Sequence, residues 1–212
     1  MKQFLFLSAI AAVTLASCSE DDLGGMSTFD NNTIAFATHK AKSMTRSGVT
    51  INSIDNFTVS AVNADKTSYF ANEEFAYDNA AGVFKSATPH YWPTTGTLSF
   101  YAISDPGTYS ADENNVPSYS YSNWEAEKDL VAATVLAGEK EIPYPLNFQH
   151  VTSQIIVGAE AEDKEEALTY KLVSVELTAP STGIYSFSDA TGGIGSWVID
   201  NTKTSTYSYE DA

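Results

Sequence analysis

The chain has 212 residues, a formal net charge of −16 at pH 7, 43% apolar residues and 12% aromatic residues. So many carboxylates repel nucleic acid phosphates and anionic lipid headgroups, which excludes nucleic acid and acidic membrane surfaces as partners of the mature chain. The apolar content is enough to bury a core, which excludes a disordered acidic tail, and the length suggests one or two domains.

Residues 1–18 have the pattern of an export signal. Lys2 supplies a positive start, Phe4 to Ala16 form an apolar stretch, and Leu15-Ala16-Ser17-Cys18 closes it. The stretch is shorter than the roughly 20 residues that a membrane-spanning helix needs. Cys18 is the only cysteine in the chain, and the run that ends at Cys18 is similar to a lipobox. We expect Cys18 to be lipidated; the alternative is a stray cysteine in an ordinary signal peptide.

Residues 19–30 are polar and flexible in composition, which indicates a tether. The tether begins with the acidic run Ser19-Glu20-Asp21-Asp22. This run is similar to the signal that sends lipoproteins of Bacteroidetes-type bacteria to the outer face of the outer membrane. The alternative is a linker that only adds solubility.

Period-two alternation of apolar residues predicts an all-β fold with almost no helix. The first series of strands lies in residues 31–137, which we interpret as an N-terminal β-sandwich domain. Ile34 and Phe36 alternate with small or polar residues, and Phe57, Val59 and Ala61 alternate with Thr58 and Ser60, which predicts two half-buried strands. The apolar positions of the series are Ile34 and Phe36; Phe57, Val59 and Ala61; Val83 and Phe84; Leu98, Phe100 and Ala102; and Leu130 to Leu136.

A second series of strands lies in residues 146–212, which we interpret as a partial C-terminal β-sandwich domain. Residues 138–145 separate the two series and are predicted to be a linker. The acidic stretch Ala159 to Leu168 has no apolar stripe and is predicted to be a solvated loop. The apolar positions of the second series are Leu146 to Phe148; Ile155 to Val157; Val173, Val175 and Leu177; Tyr185 and Phe187; and Trp197 to Ile199.

The sequence contains no constellation typical of catalysis. His39, His90 and His150 lie far apart, and none has a second ligand-type residue at metal-binding spacing. The glycine cluster Gly192 to Gly195 lacks the spacing of a phosphate-binding loop and is predicted to be a hairpin turn. We therefore expect no enzymatic activity, no cofactor and no metal.

A group of aromatic residues stands out in the long segment after residue 103. Tyr109, Tyr119, Tyr121 and Trp124 lie there among polar neighbours. Exposed aromatic side chains can stack on sugar rings or on a protein partner, which makes these residues a possible ligand contact. The alternative, which we favour, is that they close the end of a sandwich beneath a loop.

Arg46 is the only arginine in the chain and lies between two predicted strands. Apart from Met44, the surrounding residues from Lys40 to Gly48 are small or polar, as in exposed loops that proteases cut. An arginine-specific protease is then expected to cleave between Arg46 and Ser47. The alternative, which these residues alone favour, is an ordinary solvated loop.

Several motifs, in their order and spacing, resemble the fimbrillins, which are pilin subunits exported as lipoproteins by Bacteroidetes-type bacteria. The resemblance begins at the lipobox and runs through Thr33-Ile34-Ala35-Phe36-Ala37 and the loop Thr45-Arg46-Ser47. It continues through His90-Tyr91-Trp92-Pro93, Gly96 to Ala102, Asp129 to Ala132, and Leu146-Asn147-Phe148-Gln149-His150. The sequence departs from the family at Ala212, where fimbrillins normally continue, so the chain is expected to be C-terminally incomplete or unusually short. The part that it lacks is where the family keeps its donor strand.

The resemblance implies two transthyretin-like β-sandwich domains in tandem and a role as a structural, adhesive subunit of a surface pilus. Cleavage after Arg46 would release the lipid anchor with the first strand, and Ile34 and Phe36 would be the buried residues of that replaceable strand. Implied partners are other pilin subunits in a head-to-tail polymer, an arginine-specific protease, and outer-membrane lipid before cleavage. The alternative function is a lipid-anchored glycan-binding module that uses the aromatic segment.

Overall fold

The computed structural model describes residues 32–38, 54–125, 128–158 and 173–210. These residues form fourteen strands and no helix, which confirms the predicted all-β fold. The strands are β1 Phe36–Thr38, β2 Asn56–Asn63, β3 Ser68–Asp78, β4 Val83–Ser86, β5 Leu98–Ile103, β6 Thr108–Ala111, β7 Pro117–Tyr121, β8 Val131–Gly138, β9 Tyr144–Leu146, β10 Gln149–His150, β11 Ser174–Pro180, β12 Gly183–Phe187, β13 Gly195–Ile199 and β14 Thr204–Glu210.

Eight strands form one large sheet in the order β10-β8-β5-β2-β3-β4-β1-β9. The sheet is strongly curled, because Phe36 on β1 and Phe100 on β5 have ring centroids 5.2 Å apart although four strand spacings separate their strands. Adjacent strands lie about 4.8 Å apart, so a flat sheet would hold the two rings almost 20 Å apart. The curled sheet encloses an aromatic core that includes Phe57, Phe75 and Phe148.

A second sheet, in the order β13-β12-β7-β6, covers the opposite face of the large sheet. Tyr119 and Tyr185 from this sheet join Tyr101 and Ile103 of β5 in a second core, as in a β-sandwich. Strand β2 is therefore covered on both faces. Thr58 is 5% exposed and Ser60 1% exposed, so the prediction of a half-buried strand at residues 57–61 is wrong.

Strand β9 begins within the predicted linker 138–145, and β10 lies in the predicted second domain. Both strands nevertheless belong to the large sheet. Strand β12, from the predicted second domain, is hydrogen-bonded to β7 of the predicted first domain. Strands β11 and β14 form a separate two-stranded sheet. The division into two domains, with boundaries at 137 and 146, stays a prediction.

The structure differs from the sequence-based strand assignments in other places. Ile155 to Val157 form no strand, and their side chains are exposed. Strands β3, β6, β7, β10 and β14 were not predicted. The hairpin turn at the glycine cluster is confirmed, because β12 and β13 pair in antiparallel fashion around it and Gly192 has a φ of +85°. The predicted loop at Ala159 to Leu168 lies outside the described residues.

Candidate functional site

Residues 32–38, which we call the N-terminal segment, are inserted in the large sheet and paired on both sides. On one side the Ile34 amide donates to the His90 carbonyl and the Trp92 amide donates to the Asn32 carbonyl, both at 2.7 Å. Strand β1, at the end of the segment, also pairs in antiparallel fashion with β4. The 90–92 stretch and β4 together therefore pair with this edge of the N-terminal segment.

On the other side the N-terminal segment pairs in parallel with β9. The register places Phe36 opposite Tyr144 and Thr38 opposite Leu146. The Tyr144 amide donates to the Ala35 carbonyl at 2.7 Å. The sequence predicted a strand at Leu146 to Phe148 but placed Tyr144 and Pro145 in the linker, since this short run with a proline has no strand signature of its own.

The side chains of the N-terminal segment fill the core of the large sheet. Ile34, Ala35 and Phe36 are 1%, 0% and 0% exposed. The Phe36 ring lies 4.8 Å from the Phe75 ring and 5.2 Å from the Phe100 ring, in edge-to-face arrangements. The period-two prediction that Ile34 and Phe36 share one face agrees with their membership of one core cluster. Complete burial of Ala35 shows that the opposite face of the segment is also covered, so the prediction of a half-buried strand around Ile34 and Phe36 is wrong.

Removal of the N-terminal segment would open a groove with two unpaired backbone edges. One edge is the 90–92 stretch with β4, and the other is β9. The floor of the groove is aromatic, with Phe75 and Phe100 left without their contacts to Phe36. Such a groove has the features that bind an added β-strand: free main-chain hydrogen-bonding groups and pockets for alternate side chains.

Three predicted site residues lie outside the described residues: Cys18, Arg46 and Ser47. The N-terminal segment ends at Thr38, and the structure next describes Ile54. Lipidation and cleavage at these positions stay predictions.

The aromatic residues of the 109–124 segment do not form one exposed cluster. Tyr119 is 0% exposed and Tyr121 9% exposed, both in the second core, while Tyr109 and Trp124 pack against that core at its margin. Burial raises the pKa of both Tyr119 and Tyr121 above the ordinary tyrosine value. Most of this aromatic surface is therefore occupied by packing within the fold.

Tyr121 and Trp124 also line a shallow hollow of about 260 Å³ beside the second sheet. The Tyr121 hydroxyl donates to the Asp105 carbonyl at 2.8 Å, so it is not free to bind a sugar hydroxyl as a donor. The Lys128 ammonium lies 3.4 Å from the Asp105 carboxylate at the rim of the hollow. Ligand contact by the aromatic residues stays a prediction.

The histidines that the structure describes serve local packing and pairing. The His90 ring stacks on Phe70 with centroids 4.2 Å apart, and His150 Nδ1 lies 2.6 Å from an Asp129 carboxylate oxygen. Within the described ranges, no three histidine, cysteine or carboxylate side chains come together as a metal site would require. Among the same residues, no helix is long and apolar enough to cross a membrane. His39 lies outside these ranges.

Comparisons with known proteins agree with the sequence resemblance. A family model described as fimbrillin-like matches residues 43–211, most of the chain. The match begins after the N-terminal segment and covers every other described strand. Searches among curated proteins and among solved structures found no match.

Proposed function

The chain belongs to the fimbrillin-like family, and we propose that it is a pilus subunit whose N-terminal segment is a replaceable strand. The family consists of structural subunits of cell-surface pili, which implies association with other pilin subunits. The observation that carries the proposal is that residues 32–38 fill a two-sided groove in the sheet. In chain order this segment precedes the solitary Arg46.

In the proposed sequence of events, the chain is exported as a lipoprotein and held at the outer membrane through Cys18. An arginine-specific protease then cleaves between Arg46 and Ser47. This cut removes the covalent link between the N-terminal segment and the strands that surround it. A strand from the next subunit enters the groove, and repetition of this step builds a head-to-tail polymer.

The contacts of the N-terminal segment explain why cleavage alone would not empty the groove. Burial of Ile34 and Phe36 stabilises the nicked protein by about 1.5 to 3 kcal/mol each. Each backbone hydrogen bond to the neighbouring strands contributes about 1 kcal/mol net. The cut strand should therefore stay in place until another strand competes for the same groove.

The packing also restricts which strand can replace the segment. Ile34 and Phe36 occupy apolar positions two residues apart, and Ala35 between them is fully buried. A side chain larger than alanine at the middle position would overpack that face of the sheet. The incoming strand should therefore present a large apolar residue, a small residue and another large apolar residue in succession.

The test is strand exchange in the cleaved protein. A fluorescent peptide copying Asn32 to Thr38 is added to protein that has been cut after Arg46, and binding is followed by fluorescence anisotropy. Binding is expected only after cleavage, at a rate limited by release of the resident strand. The matched control is the same peptide with Phe36→Asp, which keeps the length but places a charge in the aromatic pocket and should not bind. Equal binding of the two peptides, or no binding of the first, would contradict the proposal.

A further inference from the structure

The first residue of the N-terminal segment is held by side-chain contacts as well as by backbone pairing. The Trp92 amide donates to the Asn32 carbonyl at 2.7 Å, and Asn32 Nδ2 donates to the Trp92 carbonyl at 3.3 Å. The Lys140 ammonium donates to Asn32 Oδ1 at 3.0 Å. Because an ammonium can only donate, the oxygen of the Asn32 amide must face Lys140, and its nitrogen is then directed to the Trp92 carbonyl. Both ends of this side-chain amide are therefore used.

These contacts connect the two sides of the groove. Trp92 belongs to the 90–92 stretch on one side, whereas Lys140 lies in the connection between β8 and β9, which leads to the other side. The rings of Trp92 and Tyr144, one from each side, also lie 5.8 Å apart in the aromatic core. A residue at position 32 is therefore in contact with both sides of the groove at once.

The chemistry at position 32 differs from that of the apolar positions that follow it. Ile34 and Phe36 are held by packing in the core, whereas Asn32 lies between a positively charged donor and a backbone carbonyl. Only a side chain with an acceptor atom can form a hydrogen bond with Lys140. A lysine or arginine at position 32 would place two positive charges side by side. The position therefore favours an amide or a carboxylate.

We propose that Lys140 is a specificity-determining residue of the groove, which favours strands with a hydrogen-bond acceptor two residues before the first large apolar residue. This inference rests on the strand replacement proposed above. It adds a polar position to the pattern of two large apolar residues around a small one. The ligand of the groove is then a strand that carries an amide or a carboxylate at that position.

The same contact distinguishes the correct register from its nearest alternative. A strand that is displaced by two residues keeps its apolar side chains on the same face, since the side-chain period of a strand is two. Such a displacement can bring Ile34 to the place of Asn32, where an apolar side chain cannot accept a hydrogen bond from Lys140. Core packing alone does not read this difference at the end of the strand.

The first test uses the uncleaved chain and so does not depend on strand replacement. Lys140→Met removes the ammonium, and hydrogen exchange of the Trp92 amide, followed by NMR, reports opening of the contact with Asn32. Exchange at Trp92 should become about two- to fivefold faster, as expected for loss of an exposed charged contact. The Ser188 amide, which donates to the Ile194 carbonyl in the β12–β13 turn, should exchange at an unchanged rate. An unchanged rate at Trp92, or an equal rise at both amides, would overturn the proposal.

The second test measures selectivity in protein that has been cut after Arg46. Two acetylated fluorescent peptides that copy residues 30–38, the parent sequence and its Asn32→Lys variant, are bound to the parent protein and to Lys140→Glu. The parent protein should prefer the parent peptide. Lys140→Glu should shift the ratio of the two dissociation constants roughly tenfold toward the variant peptide, because the charges across the contact are then opposite.

Lys203→Glu is the matched control for this charge reversal. Lys203 is exposed, as Lys140 is, but lies in the connection between β13 and β14, so its replacement should keep the ratio of the parent protein. The same ratio in all three proteins would overturn the proposal. If neither peptide binds to any of them, strand replacement itself is contradicted, and the exchange rate at Trp92 still decides whether Lys140 holds the resident strand.

Discussion

The rings of Phe36 and Phe100 meet edge to face at 5.2 Å, and this contact joins the N-terminal segment to the centre of the large sheet. Phe100 lies on β5, whose other face supports the second core through Tyr101 and Ile103. The N-terminal segment therefore packs directly against the strand that both cores share. Occupancy of the groove should affect the stability of the whole fold.

The first prediction is that Phe36→Ala destabilises the uncleaved protein by about 3 to 5 kcal/mol, because the change removes a fully buried aromatic side chain and leaves a cavity. Urea denaturation followed by tryptophan fluorescence measures the difference. Tyr91→Ala is the control, since the Tyr91 side chain is 46% exposed and should cost far less. Equal losses from the two changes would mean that the N-terminal segment is not a core element.

The second prediction concerns maturation. An arginine-specific protease should cut the folded precursor once, and mass spectrometry should find a product that begins at Ser47. Arg46→Lys should abolish the cut, because the protease discriminates between the two cations. Arg46→Lys combined with Lys42→Arg should restore a cut four residues earlier if the loop as a whole is accessible. A folded precursor that resists the protease, but is cut after denaturation, would show that the site is covered.

The third prediction is that Cys18 carries the lipid. Metabolic labelling with a radioactive fatty acid should label the parent chain, and Cys18→Ser should remove the label and leave an unprocessed or released form. Ser17→Ala is the control, because a small residue at that position keeps the similarity to a lipobox. Label that persists on the Cys18→Ser protein would place the lipid elsewhere.

The sequence predicted the strands in which apolar residues alternate or form a continuous run, and missed β3, in which the alternation is broken. In β3, Phe70 and Phe75 both lie in the core although they are five positions apart, an odd spacing that a regular strand would place on opposite faces. Two register shifts in the pairing of β2 with β3 and the left-handed backbone at Asn72, with a φ of 52°, allow this arrangement. A bulge of this kind changes the face on which later residues lie, so a period-two search cannot find it.

Strand β7 was missed for a different reason. Its core residues, Tyr119 and Tyr121, alternate with serines, and a run of serine and tyrosine has the composition of a loop. Ile155 to Val157 show the converse error, because an apolar β-branched run predicted a strand where the structure has none. Composition identifies residues able to form strands, whereas pairing depends on partners distant in sequence.

Only part of the candidate site could be predicted, because strand pairing there also depends on residues that are distant in sequence. The alternation of Ile34 and Phe36 was visible locally, so their shared face followed from the sequence. The neighbours of the N-terminal segment, namely β4, the 90–92 stretch and β9, lie more than 40 residues away in sequence. No local signal links such distant segments, and only the fold brings them together.

The fourth prediction concerns alkaline unfolding. Burial raises the pKa of Tyr101 to about 12 and also raises the pKa of Tyr185. In the unfolded chain these groups ionise near pH 10, so the folded state binds protons that the unfolded state has released. The stabilisation by these groups is fully present below about pH 10 and is lost as the pH rises from there through the folded-state pKa values. The urea concentration at the midpoint of unfolding should therefore be much lower at pH 11 than at pH 8.

Tyr185→Phe tests this account, because the Tyr185 hydroxyl is buried and has no hydrogen-bond partner among the described residues. At pH 8 the change should leave stability equal or slightly higher, since it removes an unpaired polar group from the second core. At pH 11 the variant should lose less stability than the parent, because phenylalanine has no proton to release on unfolding. Tyr91→Phe, at an exposed position, should behave like the parent at both pH values. If the two variants lose stability in parallel between pH 8 and pH 11, ionisation of Tyr185 does not contribute to alkaline unfolding.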